Sequence, residues 1–273
     1  MDASRAALCA KTLGATALVP ALACALVLAG CGRGGAFPTP SASEAPDPGY
    51  HGAPQLTGAV RAPDGEVALL GRAMPSARLR MASAAGARIE TTADGSGLWR
   101  AAMGPVSEPT LYRLAAESDG QRLEAEGLVA VMPGAPTVAL LRAGAGADAL
   151  DSGKPGLRIL AVDYDSGGAA VVSGRAPASS PIRILVDGGP AVEAAAGADG
   201  RFSLTLPKPL APGPRHLQAV TPKAVAAVAI TITPPSPPKD APYKIEAEGG
   251  GWRIDWVTPG GGPQTTLLPA AAG

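Results

Sequence analysis

Apolar and polar residues alternate in many short segments along most of the chain. Leu79 and Met81 alternate with arginines, and Ile182 and Ile184 flank Arg183 in the same way. A period of two residues is typical of a β-strand with one buried face. The pattern therefore predicts an all-β protein built from short strands.

Two segments share a pattern at a separation of about one hundred residues. One contains Gly71-Arg72-Ala73, a strand, Ala93-Asp94-Gly95 and Trp99; the other contains Gly174-Arg175-Ala176, a strand, Ala198-Asp199-Gly200 and Phe202. A repeat of this length indicates a domain rather than a solenoid unit. Each Asp-Gly pair is expected to form a turn, because glycine adopts a positive φ without steric cost. The aromatic residue after each turn is expected to point into a core.

The second segment resembles the bacterial immunoglobulin-like repeats of surface and envelope proteins. The resemblance covers roughly residues 170–233, whereas the first segment matches through Trp99 and then departs. The residues that carry it are Gly174-Arg-Ala-Pro177, Ala198-Asp-Gly-Arg-Phe202 and Leu210-Ala-Pro-Gly-Pro-Arg-His216. The resemblance implies β-sandwiches, with the Asp-Gly step as a turn between strands. A generic β-sandwich is the alternative.

The predicted domain organisation follows the composition of the intervening segments. An immunoglobulin-like domain over residues 56–143 includes a hairpin turn at Asp119-Gly120. A Gly/Ala-rich linker over residues 144–156 precedes a second such domain over residues 157–233. A proline-rich spacer (234–242), a β meander (243–268) and a disordered tail (269–273) follow. Three strands alone are marginal in water, so the meander is expected to pack against another element.

Residues 1–30 have the layout of a secretory signal peptide. Arg5 and Lys11 precede an apolar stretch that ends in small residues. This stretch contains Pro20 and is barely long enough to cross a bilayer, which makes a permanent transmembrane helix the weaker interpretation.

The motif Leu28-Ala29-Gly30-Cys31 closes the apolar stretch and resembles the lipobox of bacterial lipoproteins. The resemblance implies cleavage before Cys31, a lipid on its thiol and an acyl group, such as palmitate, on the new amino end. An ordinary signal peptide cut near Ala29 is the alternative. Residues 31–55 would then be the lipidated cysteine and a disordered Pro/Ser-rich tether.

Lipidation implies that a membrane is one partner, reached through the anchor. In enteric bacteria, an aspartate directly after the lipidated cysteine resembles a signal for retention in the inner membrane. This chain has a glycine at that position, Gly32. We therefore expect a cell-envelope protein. The favoured location is the outer membrane, with the protein facing the periplasm. The other two cysteines, Cys9 and Cys24, precede the cleavage site, so no disulfide is expected.

Composition and motifs provide little support for catalysis. The formal net charge is +0 and no basic patch stands out, so nucleic acid is not an expected partner. His216 has no nucleophile motif near it, and a half-exposed strand histidine is the simpler interpretation. Asp163 and Asp165 share a face that suits calcium, but a solvated strand end is favoured. We expect no metal, no cofactor and no enzymatic activity, although an enzyme of unrecognised type is one alternative.

Trp252 and Trp256 lie on one face of the meander and form the one candidate ligand surface. Aromatic faces stack on sugars or anchor protein partners. Alternatively, the two side chains cover an apolar edge of the second domain. The sequence thus predicts a non-enzymatic envelope lipoprotein with a structural or protein-interaction role, for which another envelope protein is a candidate partner. The alternative is a carbohydrate- or peptidoglycan-binding protein that holds cell-wall glycan on these tryptophans.

Overall fold

The computed structural model describes residues 52–134, 138–150 and 156–270, which form twenty β-strands and their turns. The predicted signal peptide, the lipobox and most of the tether lie outside the described residues. No helix among the described residues is long and apolar enough to cross a membrane. The described residues belong to one compact unit.

Domain 1 consists of the first ten strands in two antiparallel sheets. They are β1 (Gln55–Arg61), β2 (Val67–Arg72), β3 (Arg78–Ser83), β4 (Arg88–Thr92), β5 (Leu98–Met103), β6 (Thr110–Ser118), β7 (Gln121–Glu124), β8 (Leu128–Val131), β9 (Val138–Leu141) and β10 (Asp148–Ala149). One sheet has the order β1-β2-β5. The other has the order β10-β9-β8-β6-β3-β4, with β7 also paired to β6.

Domain 2 and the meander supply the other ten strands. Domain 2 contains β11 (Arg158–Asp165), β12 (Ala170–Arg175), β13 (Pro181–Val186), β14 (Gly189–Ala195), β15 (Arg201–Thr205), β16 (Gly213–Thr221) and β17 (Ala224–Ile232). The meander contains β18 (Tyr243–Glu248), β19 (Gly251–Val257) and β20 (Pro263–Leu268). The sheet orders are β15-β12-β11-β20-β19-β18 and β14-β13-β16-β17.

The two domains have the same strand order. In each domain, the first, second and fifth strands lie together in one sheet. The other sheet contains the fourth, third and sixth strands in that order, and the next strand of the chain pairs with the sixth. Two facing antiparallel sheets with these crossings make an immunoglobulin-like sandwich. The prediction of an all-β fold with two such sandwiches and a C-terminal meander is confirmed.

A glycine opposite an aromatic ring explains the sequence repeat. Gly71 pairs with Trp99 across β2 and β5, and Gly174 pairs with Phe202 across β12 and β15. The aromatic ring lies over the glycine in both pairs, and a backbone carbonyl oxygen of the first strand lies close beside it. The separation is 103 residues for both members of the pair.

The turn before the aromatic residue corrects one detail of the repeat. The sequence suggested that Gly95 corresponds to Gly200, but the residue with the matching positive φ is Gly97, at 80° against 76° for Gly200. Each of these two glycines donates its N–H to the carbonyl three residues earlier. Asp94 stands at the start of its turn and accepts from the backbone N–H of Leu98, whereas Asp199 stands beside its glycine. Gly97 and Gly200 are therefore the equivalent residues of the two turns, at the same separation of 103 residues. The two aspartates are not equivalent.

Three apolar clusters lie in successive layers. One fills domain 1 and one fills domain 2, each between its two sheets. The third joins β6, β8 and β9 of domain 1 to β11 and the meander. Strand β8 shows how this works: Val129 and Val131 face the core of domain 1, while Leu128 and Ala130 belong to the third cluster.

The segment predicted as a linker takes part in domain 1. Asp148 and Ala149 form β10, which pairs with β9. The N–H of Leu150 donates to the carbonyl of Val138 at 2.9 Å, and its carbonyl accepts from Ala59 at 3.2 Å. Residues up to 150 therefore extend the domain 1 sheet, while residues 151–155 lie outside the described part.

The glycine–aromatic pair predicts a large effect for a small substitution. A methyl group at Gly174 would overlap the carbonyl oxygen of Arg158 and the ring of Phe202. We expect Gly174→Ala to lower the free energy of unfolding by about 1–3 kcal/mol, the usual cost of overpacking. Urea denaturation measures this.

Gly58→Ala is the matched control, because a methyl group at this strand glycine meets no atom within 4 Å. It should leave stability unchanged or raise it by at most about 1 kcal/mol. Equal effects of the two substitutions would contradict the packing role of Gly174.

Candidate functional site: the face between the two sandwiches

The predicted site residues fall into two groups. Leu28, Ala29, Gly30 and Cys31 lie outside the described residues. Trp252 and Trp256 both lie on β19 and on one face of it, as the alternation predicted. That face is turned towards domain 1, so the geometry of the candidate site is that of an interface between domains.

Trp256 is a core residue rather than a ligand residue. Its side chain is 1% exposed, and its Nε1–H donates to Oγ1 of Thr266 at 3.2 Å. A sugar needs an open indole face to stack on. The alternative interpretation, that these side chains cover an apolar surface, therefore fits Trp256, although that surface belongs mainly to domain 1 and not to the second domain.

Trp252 is half-buried at the end of the same face. It lines a groove of about 470 Å³ whose walls also include Arg215, His216 and Glu248. Trp252 thus reaches a surface that a ligand can enter, whereas Trp256 borders a second groove of about 830 Å³ with only 1% of its side chain exposed.

The interface is built from the outer face of a domain 1 sheet and one face of the meander. The buried apolar residues that form it are Leu111, Ala130, Met132, Ala139, Leu141 and Ala147 on one side, and Ala161, Ile254, Trp256 and Leu268 on the other. Face-to-face packing of two sheets in this way is the arrangement found inside a β-sandwich. The contact between the domains therefore has the character of a protein core.

Asp163 is the ionisable group at the centre of this region. It lies on β11 and is 2% exposed. Its Oδ1 accepts from Thr266 Oγ1 at 2.5 Å and from Gln264 Nε2 at 3.3 Å, and its Oδ2 accepts from the N–H of Ala147 at 2.7 Å. One carboxylate thus joins domain 2, the meander and the end of domain 1.

Burial raises the pKa of Asp163 to about 6, against the opposing effect of its three hydrogen bonds. Desolvation disfavours the charged form, and donors directed at the carboxylate favour it. Here the desolvation is the larger effect, so the Asp163 carboxylate gains a proton at a pH about two units higher than an aspartate in the unfolded chain does.

A second polar cluster fixes the chain between β17 and the meander. The guanidinium of Arg253 is buried and bonds Asp255 with Nε at 3.1 Å and Nη2 at 2.9 Å. The same guanidinium donates to Tyr164 Oη at 2.9 Å, Thr233 Oγ1 at 2.6 Å and the carbonyl of Pro234 at 3.3 Å. A buried charge pair is tolerated only when such partners satisfy its remaining groups.

The segment between the domains is also bonded to domain 2. Ser203 Oγ donates to the carbonyl of Ala145 at 2.7 Å. Arg201 forms an ion pair with Asp148. Gly146 has a φ of 82°, and a methyl group there would collide with Ser173, Ser203 and Val171. The Gly/Ala composition that suggested a flexible linker therefore also permits close packing.

The other candidate residues have structural surroundings. Asp165 is exposed and accepts from the N–H groups of Gly167 and Ala169 in a turn, whereas Asp163 is buried, so the prediction of a solvated strand end is right for Asp165 alone. His216 is an exposed residue of β16. Within the described part of the chain, no three His, Cys, Asp or Glu residues cluster in a way that suits a metal ion.

Comparisons with known proteins support no family assignment. No family model matches the chain, and no curated protein matches it. A biofilm-associated protein BSP domain aligns over 68% of this chain and 30% of its own length, with 17% identity and a TM-score of 0.25. A central fibronectin-III array of RIM-binding protein covers 78% of this chain and 88% of its own length, with 11% identity and a TM-score of 0.26.

Native E. coli alpha-2-macroglobulin covers 81% of this chain and 21% of its own length, with 13% identity and a TM-score of 0.23. This chain therefore spans less than a third of two of the three structures. At these TM-scores the fold assignment depends on the strand order described above.

The buried tryptophan predicts that the two domains unfold together. We expect Trp256→Ala to lower the free energy of unfolding by about 3–5 kcal/mol, because it leaves a large cavity in the interface. With the contact weakened, one calorimetric transition should separate into two. Trp252→Ala is the control, since its half-buried side chain should cost less and leave one transition. Equal losses for the two variants would contradict this account.

The buried carboxylate predicts a pH dependence of stability. Because the pKa of Asp163 is raised to about 6 in the folded protein, the folded state binds more protons than the unfolded chain between about pH 4 and 6. The contribution of this group to stability is therefore highest below pH 4 and decreases as the pH rises to 6. One pKa unit corresponds to about 1.4 kcal/mol, so the loss is on the order of 3 kcal/mol.

Asp163→Asn removes the titrating group and should flatten the dependence of the unfolding free energy on pH across this window. Urea denaturation at pH 4, 5, 6 and 7 provides the comparison. A variant that retains the full slope would show that other groups cause it.

Proposed function

We propose that the protein is a lipid-anchored lipoprotein of the bacterial cell envelope, with a non-enzymatic structural or protein-interaction role. The observation that carries this proposal is the motif Leu28-Ala29-Gly30-Cys31 at the end of an apolar stretch. Cys31 is also the last cysteine of the chain. The folded part therefore has no thiol that competes for modification.

The anchor suits the folded part that follows it. One acyl chain gives only reversible membrane attachment, whereas several chains hold a protein almost permanently, at about 0.8 kcal/mol per buried methylene. The two sandwiches share an apolar core and satisfied polar clusters. Such a body has a core of its own, which suits a module presented at a membrane surface. Gly32 favours the outer membrane, facing the periplasm.

The glycan alternative has weaker support. A glycan site of this kind requires both tryptophans as one stacking face, but Trp256 lies in the interior. Trp252 alone, beside the groove that contains His216 and Glu248, offers one partly covered indole. The interaction role therefore remains the better proposal.

The anchor is tested by metabolic labelling with palmitate and by intact mass of the protein from bacterial membranes. The native protein should carry the label, and its mass should equal the chain from Cys31 plus acyl groups. Cys31→Ser should lose the label completely, because serine has no thiol for the lipid.

Cys24→Ser is the matched control, since it changes a cysteine of the apolar stretch and leaves the motif intact. It should be labelled like the native protein. A native protein that is unlabelled, with a free amino end elsewhere, would overturn the proposal.

A further inference from the structure

Strand β17 is an unprotected sheet edge. Among the strands that the structure describes it pairs only with β16, so it ends the sheet β14-β13-β16-β17. In an antiparallel pair, alternate residues direct their N–H and C=O groups away from the partner strand. Over its nine residues, β17 therefore presents a row of backbone donors and acceptors that no other described strand pairs with.

The side chains of β17 do not block this edge. Natural proteins protect sheet edges with charges, prolines, bulges or short strands. Every other edge strand in the described part of the chain carries a charged residue, for example Glu90 on β4, Glu193 on β14 and Glu246 on β18. Strand β17 reads Ala-Val-Ala-Ala-Val-Ala-Ile-Thr-Ile, with no charge and no proline, and Val225 is 62% exposed.

We propose that β17 is a dimerisation edge, at which the β17 strand of a second copy of this chain adds in antiparallel orientation. The missing charges are the argument for this occupant. When a strand pairs with its own copy, a charged residue at or near the two-fold axis meets the same charge of the second copy, which is unfavourable. β17 contains no charged residue, so pairing with its own copy involves no such repulsion. The other edge strands of the described part carry charges and lack this property.

The sequence of β17 also defines the register. All nine residues find a partner only when Val228 lies on the two-fold axis, because Ala224 is then opposite Ile232 of the second copy. In this register Ala227 is opposite Ala229, and Val225 is opposite Thr231. Lys223 is opposite Thr233 and not opposite a second lysine. The two four-stranded sheets become one continuous sheet, and the symmetric contact closes without forming a filament.

The test uses the full chain in detergent and sedimentation equilibrium over a range of concentrations. The native chain should approach twice the mass of one chain as the concentration rises. The double variant A227K/A229K places lysines opposite each other in two symmetry-related positions, and it should weaken dimerisation at least about tenfold.

A charge-swapped variant, A227E/A229E, makes the result independent of folding damage. It should also be monomeric alone, and an equimolar mixture of the two variants should regain the dimer. The control variant A194K/A195K adds the same charge to exposed positions on β14, the opposite edge of this sheet, and should dimerise like the native chain.

The proposal would be overturned by a native chain that is monomeric at all concentrations, by a mixture of variants that stays monomeric, or by a dimer that the β17 lysines do not weaken. A monomer that instead captures a strand of another envelope protein on β17 would also overturn it, because the occupant would then not be a second copy.

Discussion

The structure depends on apolar burial on both faces of two sheets. In an isolated sandwich, each sheet has one face against its partner and one face in water, so its strands alternate. The sheet of domain 1 that contains β8 and β9, and the sheet of domain 2 that contains the meander, do not follow this rule. Their outer faces carry leucine, isoleucine and tryptophan. Water contact at these faces would be unfavourable, so the two sandwiches are held together as one body.

Polar groups determine how the two bodies meet. Apolar faces alone permit sliding, since the hydrophobic effect has no direction. Asp163 accepts hydrogen bonds from the meander and from Ala147 at the end of domain 1, and these bonds have a fixed geometry. The charge on this buried carboxylate opposes burial, as its raised pKa shows. We interpret Asp163 as a group whose burial lowers the stability of the fold, while its hydrogen bonds fix a single register between the domains.

The sequence predicts local features well and this contact poorly. Alternation predicted the strands around Ile182 and Ile184, the hairpin at Asp119-Gly120 has positive φ at both residues as expected, and the meander strands were anticipated. The sequence allowed for burial of the meander tryptophans but not for domain 1 as the surface that covers Trp256, because these partners are more than one hundred residues earlier. A signal was nevertheless present: Leu128-Val-Ala-Val-Met132 and Val138-Ala-Leu-Leu141 contain no polar residue. Strands that are buried on both faces have such runs.

Residue size explains how an alanine-rich chain with 3% aromatic residues builds this contact. Alanine fills little volume, so two alanine-rich faces would leave cavities between them, and cavities are costly in a close-packed interior. In the interface cluster, Ala130, Ala139 and Ala147 of domain 1 accompany Ile254 and Trp256 of the meander. The domain 1 face also carries leucines and a methionine, so small and large residues of both faces together fill the space between the two sheets. The meander therefore adds bulk opposite the alanines of domain 1, and the two faces together form one core.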